Sequence, residues 1–159
     1  MRIQIIAVGK LKEKYLKDAV LEYTKRLSRF CRTEIVEIPE EKVPETLSSS
    51  EEIIVREKEA IKIRRLIAKN AFVIALDLKG EQPDSVQFAR KLSDFMLNGA
   101  SQITFIIGGS IGLDENLLKE ANYNLCLSNM TFTHQFARVI LLEQIYRGFK
   151  IINNETYHK

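Results

Sequence analysis

Short apolar runs alternate with amphipathic segments along the whole chain. Five runs rich in Ile, Val, Leu and Phe predict strands that are buried on both faces, at Ile3–Val8, Glu34–Ile38, Phe72–Leu76, Ile103–Ile107 and Asn124–Leu127. Between the first two runs, apolar side chains recur every three or four residues. This spacing predicts one face of an amphipathic helix, formed by Leu11, Tyr15, Ala19, Tyr23, Leu27 and Phe30.

Start and stop signals predict four further helices. A serine cluster followed by Glu51 and Glu52 opens the second helix, which ends near Ala68. Pro83 opens the third, and Asn98–Gly99 ends it. The fourth and fifth are predicted at Asp114–Ala121 and Thr133–Ile152, the last with Thr131 or Thr133 as its N-cap.

Strands that alternate with helices predict an α/β fold with a mostly parallel sheet and helices covering both faces. No repeat or linker divides the sequence, so residues 1–159 are expected to form a single domain. Ligands of such sheets bind beyond the carboxyl ends of the strands. The segments that follow Leu76, Ile107 and Leu127 are therefore the places to look for function.

Composition narrows the class of protein. Hydrophobic residues make up 45% of the chain and charged residues 28%, as in ordinary soluble domains. No apolar run approaches the roughly 20 residues that span a bilayer, and the first strand lacks a signal-peptide pattern, so we expect a cytoplasmic protein. Cys31 and Cys126 lie far apart and are expected to be reduced structural thiols. With only two histidines, a protein-bound metal is not expected.

Charge is distributed unevenly along the chain. The net charge of +3 is too small to indicate a nucleic-acid binder by itself. Residues 1–32, however, carry nine basic and three acidic side chains, whereas residues 33–60 carry three basic and nine acidic ones. Such a split either presents one positive face to a phosphate backbone or belongs to an ordinary solvated surface of mixed sign.

Two loops after predicted strands carry candidate binding groups. Gly108–Asp114 has three glycines, which permit a tight turn and close approach to a ligand, although the spacing is not that of a dinucleotide fingerprint. A plain turn is an equal alternative. Leu127–Gln135 mixes polar and bulky apolar residues before a helix, where free backbone groups can hold a flat polar ligand. An ordinary capped loop is its alternative.

The fifth helix places His134 and Arg138 at the start of an otherwise apolar stripe. Such groups are costly to bury unless they are paired or used. Arg147 lies on the opposite side, where it is either functional or simply an i,i+4 partner of Glu143. The terminal Tyr157–Lys159 offers an aromatic ring, an imidazole and an amine that suit a base and a phosphate, unless the segment is merely frayed.

The chain resembles the ribosomal RNA large subunit methyltransferase H family of the SPOUT class. The resemblance runs end to end and is carried by five segments: Ile6–Lys12, Ile107–Leu113, Leu127–Gln135, Arg138–Arg147 and Tyr157–Lys159. Two positions depart from the family pattern. Asn129 stands where lysine is common, and Thr133 stands where many members carry proline.

The resemblance implies a C-terminal trefoil knot, although knots are nearly absent among folds generally. It implies S-adenosylmethionine as the cofactor, bound by Leu76, Gly108, Leu127, Ser128, Asn129, Met130, Thr131 and Phe132. It implies a homodimer that methylates N3 of a pseudouridine in a stem-loop of 23S rRNA within the assembled ribosome. A tail from one subunit would complete the site of the other.

The accepting nitrogen is a weakly acidic imide, which must lose its proton before or during methyl transfer. The candidates for orienting the base or easing that loss are His134, Arg138, Tyr157 and His158. Arg147 and Lys159 are the candidates for RNA binding. Two other functions stay open from the residues alone: an NAD(P)-dependent oxidoreductase that uses the glycine turn, and a non-catalytic ribosome-associated factor.

Overall fold

A computed structural model describes all 159 residues, and they form one five-stranded sheet in which every neighbouring pair is parallel. The strand order is β2-β1-β4-β3-β5. The strands are β1 (Arg2–Val8), β2 (Arg32–Ile38), β3 (Phe72–Glu81), β4 (Gln102–Ile107) and β5 (Tyr123–Leu125). The helices are α1 (Lys14–Leu27), α2 (Ser49–Leu66), α3 (Ser85–Leu97), α4 (Glu115–Glu120) and α5 (His134–Ile152).

Helices cover both faces of the sheet, as the alternation of elements predicts. Successive side chains of a strand point to opposite faces, so Ile3 and Ile5 face one layer and Ile6 and Val8 the other. The first layer contains α1, α3 and α5 and a core of 17 buried residues. The second contains α2 and α4 and a core of nine. The α/β fold with a parallel sheet is confirmed.

The predicted apolar face of α1 is confirmed in part: Leu27 is buried and Tyr23 packs against the core, but Tyr15 does not. Leu16, Val20 and Leu27 are the buried residues of this helix, whereas Tyr15 is 64% exposed. The prediction that Tyr15 faces the core was wrong, because apolar side chains occur at both positions 15 and 16. Periodicity cannot choose between two such stripes, and packing of α1 against α5 selects the second.

The greatest difference in bounds is at β3, which continues five residues beyond the predicted end at Leu76. An irregularity lies between Leu76 and Glu81, and both residues pair with Leu125 of β5. Gly80 allows this close packing, because an added Cβ would lie 2.5 Å from the carbonyl oxygen of Asn124. β5 ends at Leu125, two residues earlier than predicted. The backbone amide of Cys126 donates to the Glu81 carbonyl at 2.8 Å.

Helix starts agree closely with their sequence signals. Ser48 caps α2 in a reciprocal capping box with Glu51, and Thr133 caps α5 by accepting from the backbone of Phe136. Pro83 lies outside α3, since Asp84 is the N-cap. The prediction that Pro83 is the first residue of that helix was therefore wrong by two positions.

The two stretches of opposite charge lie beside each other in space. β1 and β2 are parallel neighbours, so the loops that follow them open at the same edge of the sheet. The basic stretch then continues into α1 in the first layer, and the acidic stretch into α2 in the second. Cys31 and Cys126 are both buried free thiols. None of the helices combines the length and apolar character needed to cross a membrane.

Candidate functional site

A cavity of about 610 Å³ opens at the carboxyl edge of the sheet. Its walls come from the segments that follow β3, β4 and β5, together with the first residues of α5. These are the three strand ends at which the sequence places function. The volume lies in the range of small-molecule sites, and half of the 20 lining residues are hydrophobic.

The wall after β4 is the glycine turn. Gly109 and Gly112 form a short bridge, and the Gly112 amide donates to the Gly109 carbonyl at 3.1 Å. A Cβ on Gly108 would lie 2.9 Å from the backbone of Gly112, so this position requires glycine for the turn itself. The Glu40 carboxylate accepts from the amide and hydroxyl of Ser110 at 3.3 and 3.2 Å. Glu40, which follows β2, therefore holds the glycine turn in place.

The wall after β5 is held by its own polar groups. The Cys126 thiol donates to the Ser128 carbonyl at 3.2 Å, and the Ser128 hydroxyl accepts from the Met130 amide at 3.0 Å. Of the eight residues predicted to bind the cofactor, Asn129 alone does not line the cavity. Those that do are Leu76, Gly108, Leu127, Ser128, Met130, Thr131 and Phe132.

His134 also lines the cavity, at the first residue of α5. Its Nδ1 is buried and has no hydrogen-bond partner. This nitrogen packs near the backbone of Gly9, since a Cβ added there would lie 3.6 Å from it. Gly109, Ser110, Gly112, Leu113 and Gln135 lie within the two candidate loops of the sequence and also line the cavity. Sequence reasoning missed five further lining residues just outside those loops or after β3, namely Asp77, Leu78, Leu125, Cys126 and Ala137.

Arg138 is fully buried and does not line the cavity. Its guanidinium donates to the carbonyls of Val8 and Gly9 and forms an ion pair with Glu37. It therefore joins the ends of β1 and β2 to α5. Its predicted catalytic role stays a prediction, and the contacts favour positioning of the loop after β1.

The predicted tail residues lie along α5, away from the cavity of their own chain. The Tyr157 hydroxyl donates to Glu143 at 3.1 Å, and Arg147 stacks on the Tyr157 ring and lies 3.3 Å from Nδ1 of His158. Glu143 is nine residues along the helix from His134, which corresponds to about 14 Å. Lys159 is exposed. Tyr157, His158 and Arg147 therefore contact one another, but they do not reach the cavity of their own chain.

The contacts with Glu143 and its neighbours affect the pKa of Tyr157. Burial, a hydrogen bond with Tyr23 and the nearby Glu143 carboxylate raise the pKa of Tyr157 to about 12. The phenol therefore keeps its proton at neutral pH and acts as a hydrogen-bond donor in this arrangement. Arg147 also forms an ion pair with Glu143, which is the i,i+4 pair left open by the sequence.

The parallel sheet and the glycine-lined cavity at its carboxyl edge place this protein among the α/β proteins that bind a ligand beyond the ends of their strands. The family model described as "Predicted SPOUT methyltransferase" matches residues 1–158. The chain is 59% identical over its full length, and that of the relative, to "Ribosomal RNA large subunit methyltransferase H" of Ruminiclostridium cellulolyticum. It is 56% identical, again over both full lengths, to the protein of the same name in Clostridium kluyveri.

The fold is also similar to that of a solved methyltransferase. The "tRNA (m1G37) methyltransferase from Aquifex aeolicus" superimposes with a TM-score of 0.53 and 14% identity, covering 92% of this chain and 70% of the other. The chain belongs to the ribosomal RNA large subunit methyltransferase H family of SPOUT methyltransferases. The oxidoreductase alternative is not favoured, because the family match is to methyltransferases and the glycine turn follows β4 rather than β1.

Proposed function

We propose that this protein binds S-adenosylmethionine in the cavity at the carboxyl edge and methylates N3 of a pseudouridine in 23S rRNA of the assembled ribosome. The observation that carries the proposal is the cavity itself. It is built from three strand ends in a chain whose full-length relatives are named as methyltransferases of the large subunit rRNA. The pseudouridine is the substrate that the family resemblance implies.

The residues present fit the cofactor. Leu76, Leu127 and Phe132 supply apolar surface for a flat base, and the glycine turn brings backbone within reach of polar atoms. Ser128 and Thr131 add hydroxyl groups at the wall. When bound, S-adenosylmethionine supplies a methyl group with a good neutral leaving group. The protein's contribution is then mainly to position the acceptor.

Two sets of groups handle the acceptor nitrogen. The His134 imidazole lines the cavity wall, so it is the candidate that can accept or share a proton with a bound base. The Tyr157 ring supplies a stacking face, while His158, Arg147 and Lys159 supply contacts to the base edge or phosphate. These roles require that the tail and a cavity come together.

A homodimer brings them together. Large apolar side chains remain exposed around the cavity and at the starts of α1 and α5: Tyr15, Leu78, Met130, Phe132 and Phe136. Exposed apolar surface of this kind is typical of a protein interface. Since the tail lies about 14 Å or more along α5 from its own cavity, we propose that it completes the cavity of the partner subunit.

Cofactor binding and product analysis test the function directly. We expect the purified protein to bind S-adenosylmethionine and its demethylated product in calorimetry, but not NAD. Mass spectrometry of 23S rRNA from a strain that lacks the protein should show one pseudouridine without its methyl group, and the purified enzyme should restore it. Tight NAD binding without sulfonium binding would refute the proposal, and an rRNA mass that does not change would leave only the non-catalytic alternative.

A further inference from the structure

The loop between β1 and α1, Gly9–Glu13, is held firmly against the start of α5. We call it the lysine loop because it contains Lys10 and Lys12. The Leu11 amide donates to Glu37 at 2.8 Å, and the Lys12 amide donates to the side chain of Gln135 at 3.1 Å. Arg138 binds the Gly9 carbonyl from beneath. Backbone groups of Gly9, Leu11 and Lys12 are therefore fixed by side chains of β2 and α5.

The fixed loop lies beside the cavity. An added Cβ on Gly9 would be 3.0 Å from Cε1 of His134, so the backbone here packs directly on the ring at the cavity wall. Gln135, which holds Lys12, also lines the cavity. The loop therefore borders the part of the cavity wall that His134 and Gln135 form.

The charge of the loop is available to a ligand. Lys10 and Lys12 are exposed and take part in no salt bridge, whereas Lys14 is paired with Asp18. Of the carboxylates that lie nearest to the loop, Glu37 forms an ion pair with Arg138, whereas Glu40 lies near Gly9 and accepts from Ser110. Glu13 is the one exposed carboxylate in the loop, and it leaves a net charge of +1 there.

We infer that the lysine loop contacts the phosphate backbone of the RNA substrate at the mouth of the cavity, an inference that rests on the proposed function. Two exposed ammonium groups on a fixed backbone are point charges suited to phosphate, and the loop belongs to residues 1–32, which carry nine basic and three acidic side chains. Neither lysine is among the cavity-lining residues, which separates the role from binding of the cofactor's own carboxylate. Arg138, Glu37 and Gln135 are positioning residues for this contact.

The test compares two double variants that remove the same charge. Lys10→Gln with Lys12→Gln alters the loop. Lys69→Gln with Lys119→Gln alters exposed lysines just before β3 and near the end of α4, at the opposite edge of the sheet. For the loop variant we expect KM for ribosomes to rise roughly tenfold at low salt, with kcat little changed. The slope of log affinity against log salt should fall by about 2, close to one for each phosphate that the loop no longer neutralises.

The control variant should keep the KM and salt slope of the wild type, and calorimetry should give both variants wild-type affinity for S-adenosylmethionine. A loop variant with unchanged KM and salt slope would overturn the inference. Weakened cofactor binding by the loop variant would also overturn it, because the lysines would then bind the cofactor's carboxylate. If the wild type itself neither binds cofactor nor methylates rRNA, the proposed function fails instead, so the two failures are distinguishable.

Discussion

Arg138 shows how one buried charge organises the edge of this sheet. Its guanidinium has partners on β1 and β2, while its backbone belongs to α5. The sequence indicates that an arginine on an apolar stripe needs a partner, but it cannot name Glu37, which is 101 positions away. Such a pair is set by strand order and helix packing, neither of which a local pattern records.

Replacing Arg138 by methionine should destabilise the protein substantially. The substitution leaves Glu37 without its ion-pair partner and removes the donor to the Val8 and Gly9 carbonyls, which we expect to lower the free energy of unfolding by about 3 kcal/mol. Urea denaturation measures the change. Lys14→Met breaks an exposed i,i+4 pair with Asp18 and should leave stability almost unchanged. Equal effects of the two substitutions would contradict the assignment of Arg138 as a structural clamp.

The buried Glu59 makes the free energy of unfolding of the protein depend on pH. Burial on α2, with added repulsion from Glu40 and Glu41 and partial relief from the Glu41 amide and Lys62, raises the pKa of Glu59 to about 7 from 4.5. The folded state thus holds this proton more tightly than the unfolded state. The group's contribution to stability is therefore complete below about pH 4.5 and is lost as the pH rises to about 7.

Glu59→Gln should accordingly stabilise the protein at pH 8 by roughly 1 to 3 kcal/mol relative to the wild type, and by much less at pH 5. Glutamine keeps an oxygen that can accept from the Glu41 amide. Denaturant titrations at the two pH values give the comparison, and Glu57→Gln on the exposed side of the same helix is the control. A stabilisation of the same size at both pH values would show that the charge of Glu59 is not its cause.

Gly108→Ala should weaken cofactor binding by roughly tenfold or more, equivalent to at least about 1.4 kcal/mol. The added Cβ would contact the Gly112 backbone and the Leu113 side chain, so the turn must shift at the cavity wall. Gly148→Ala is a matched control, because its Cβ would meet neighbours no closer than 3.5 Å. Calorimetry with S-adenosylmethionine measures both. Wild-type affinity in the Gly108 variant would mean that the turn does not shape the site.

At the scale of elements, helices with clear caps and strands with continuous apolar runs could be predicted from the sequence. The cavity could be placed as well, because parallel strands bring their carboxyl ends to one edge. The extension of β3 could not, since Asp77–Glu81 is mostly polar and pairs through an irregularity that Gly80 permits. For the same reason Asp77 and Leu78 were missed as lining residues. The trefoil knot stays a prediction of the family resemblance.

Removal of the tail tests an element that its terminal position alone would make dispensable. Deletion of Tyr157–Lys159 should lower methylation by about two orders of magnitude or more, because the deletion removes a stacking face worth about 1–3 kcal/mol together with two cationic or polar groups. Cofactor affinity should barely change, since all three cavity walls remain. Loss of cofactor binding as well would make the tail structural, and undiminished methylation would exclude it from the site.

At the scale of the whole molecule, sedimentation should show a species of twice the 18.3 kDa chain mass at micromolar concentration. Complementation then tests whether the tail acts across the dimer. Gly108→Val disrupts the cavity but keeps the tail, whereas the tail deletion keeps the cavity and removes the tail. After subunit exchange, an equimolar mixture of these two inactive chains should recover about a quarter of wild-type activity, because half of the dimers are mixed and each mixed dimer has one of its two sites complete. No recovery after subunit exchange would mean that the tail serves its own chain.

The contacts of Arg138 also affect the stage of synthesis at which the cavity can be completed. The loop after β1 and the cavity wall after β5 are separated by more than 100 positions, and both depend on α5. A nascent chain that ends after the glycine turn has the residues of two walls, but it lacks the wall after β5, His134 and Arg138. The cavity is therefore completed only when α5 has been synthesised and has docked on the sheet.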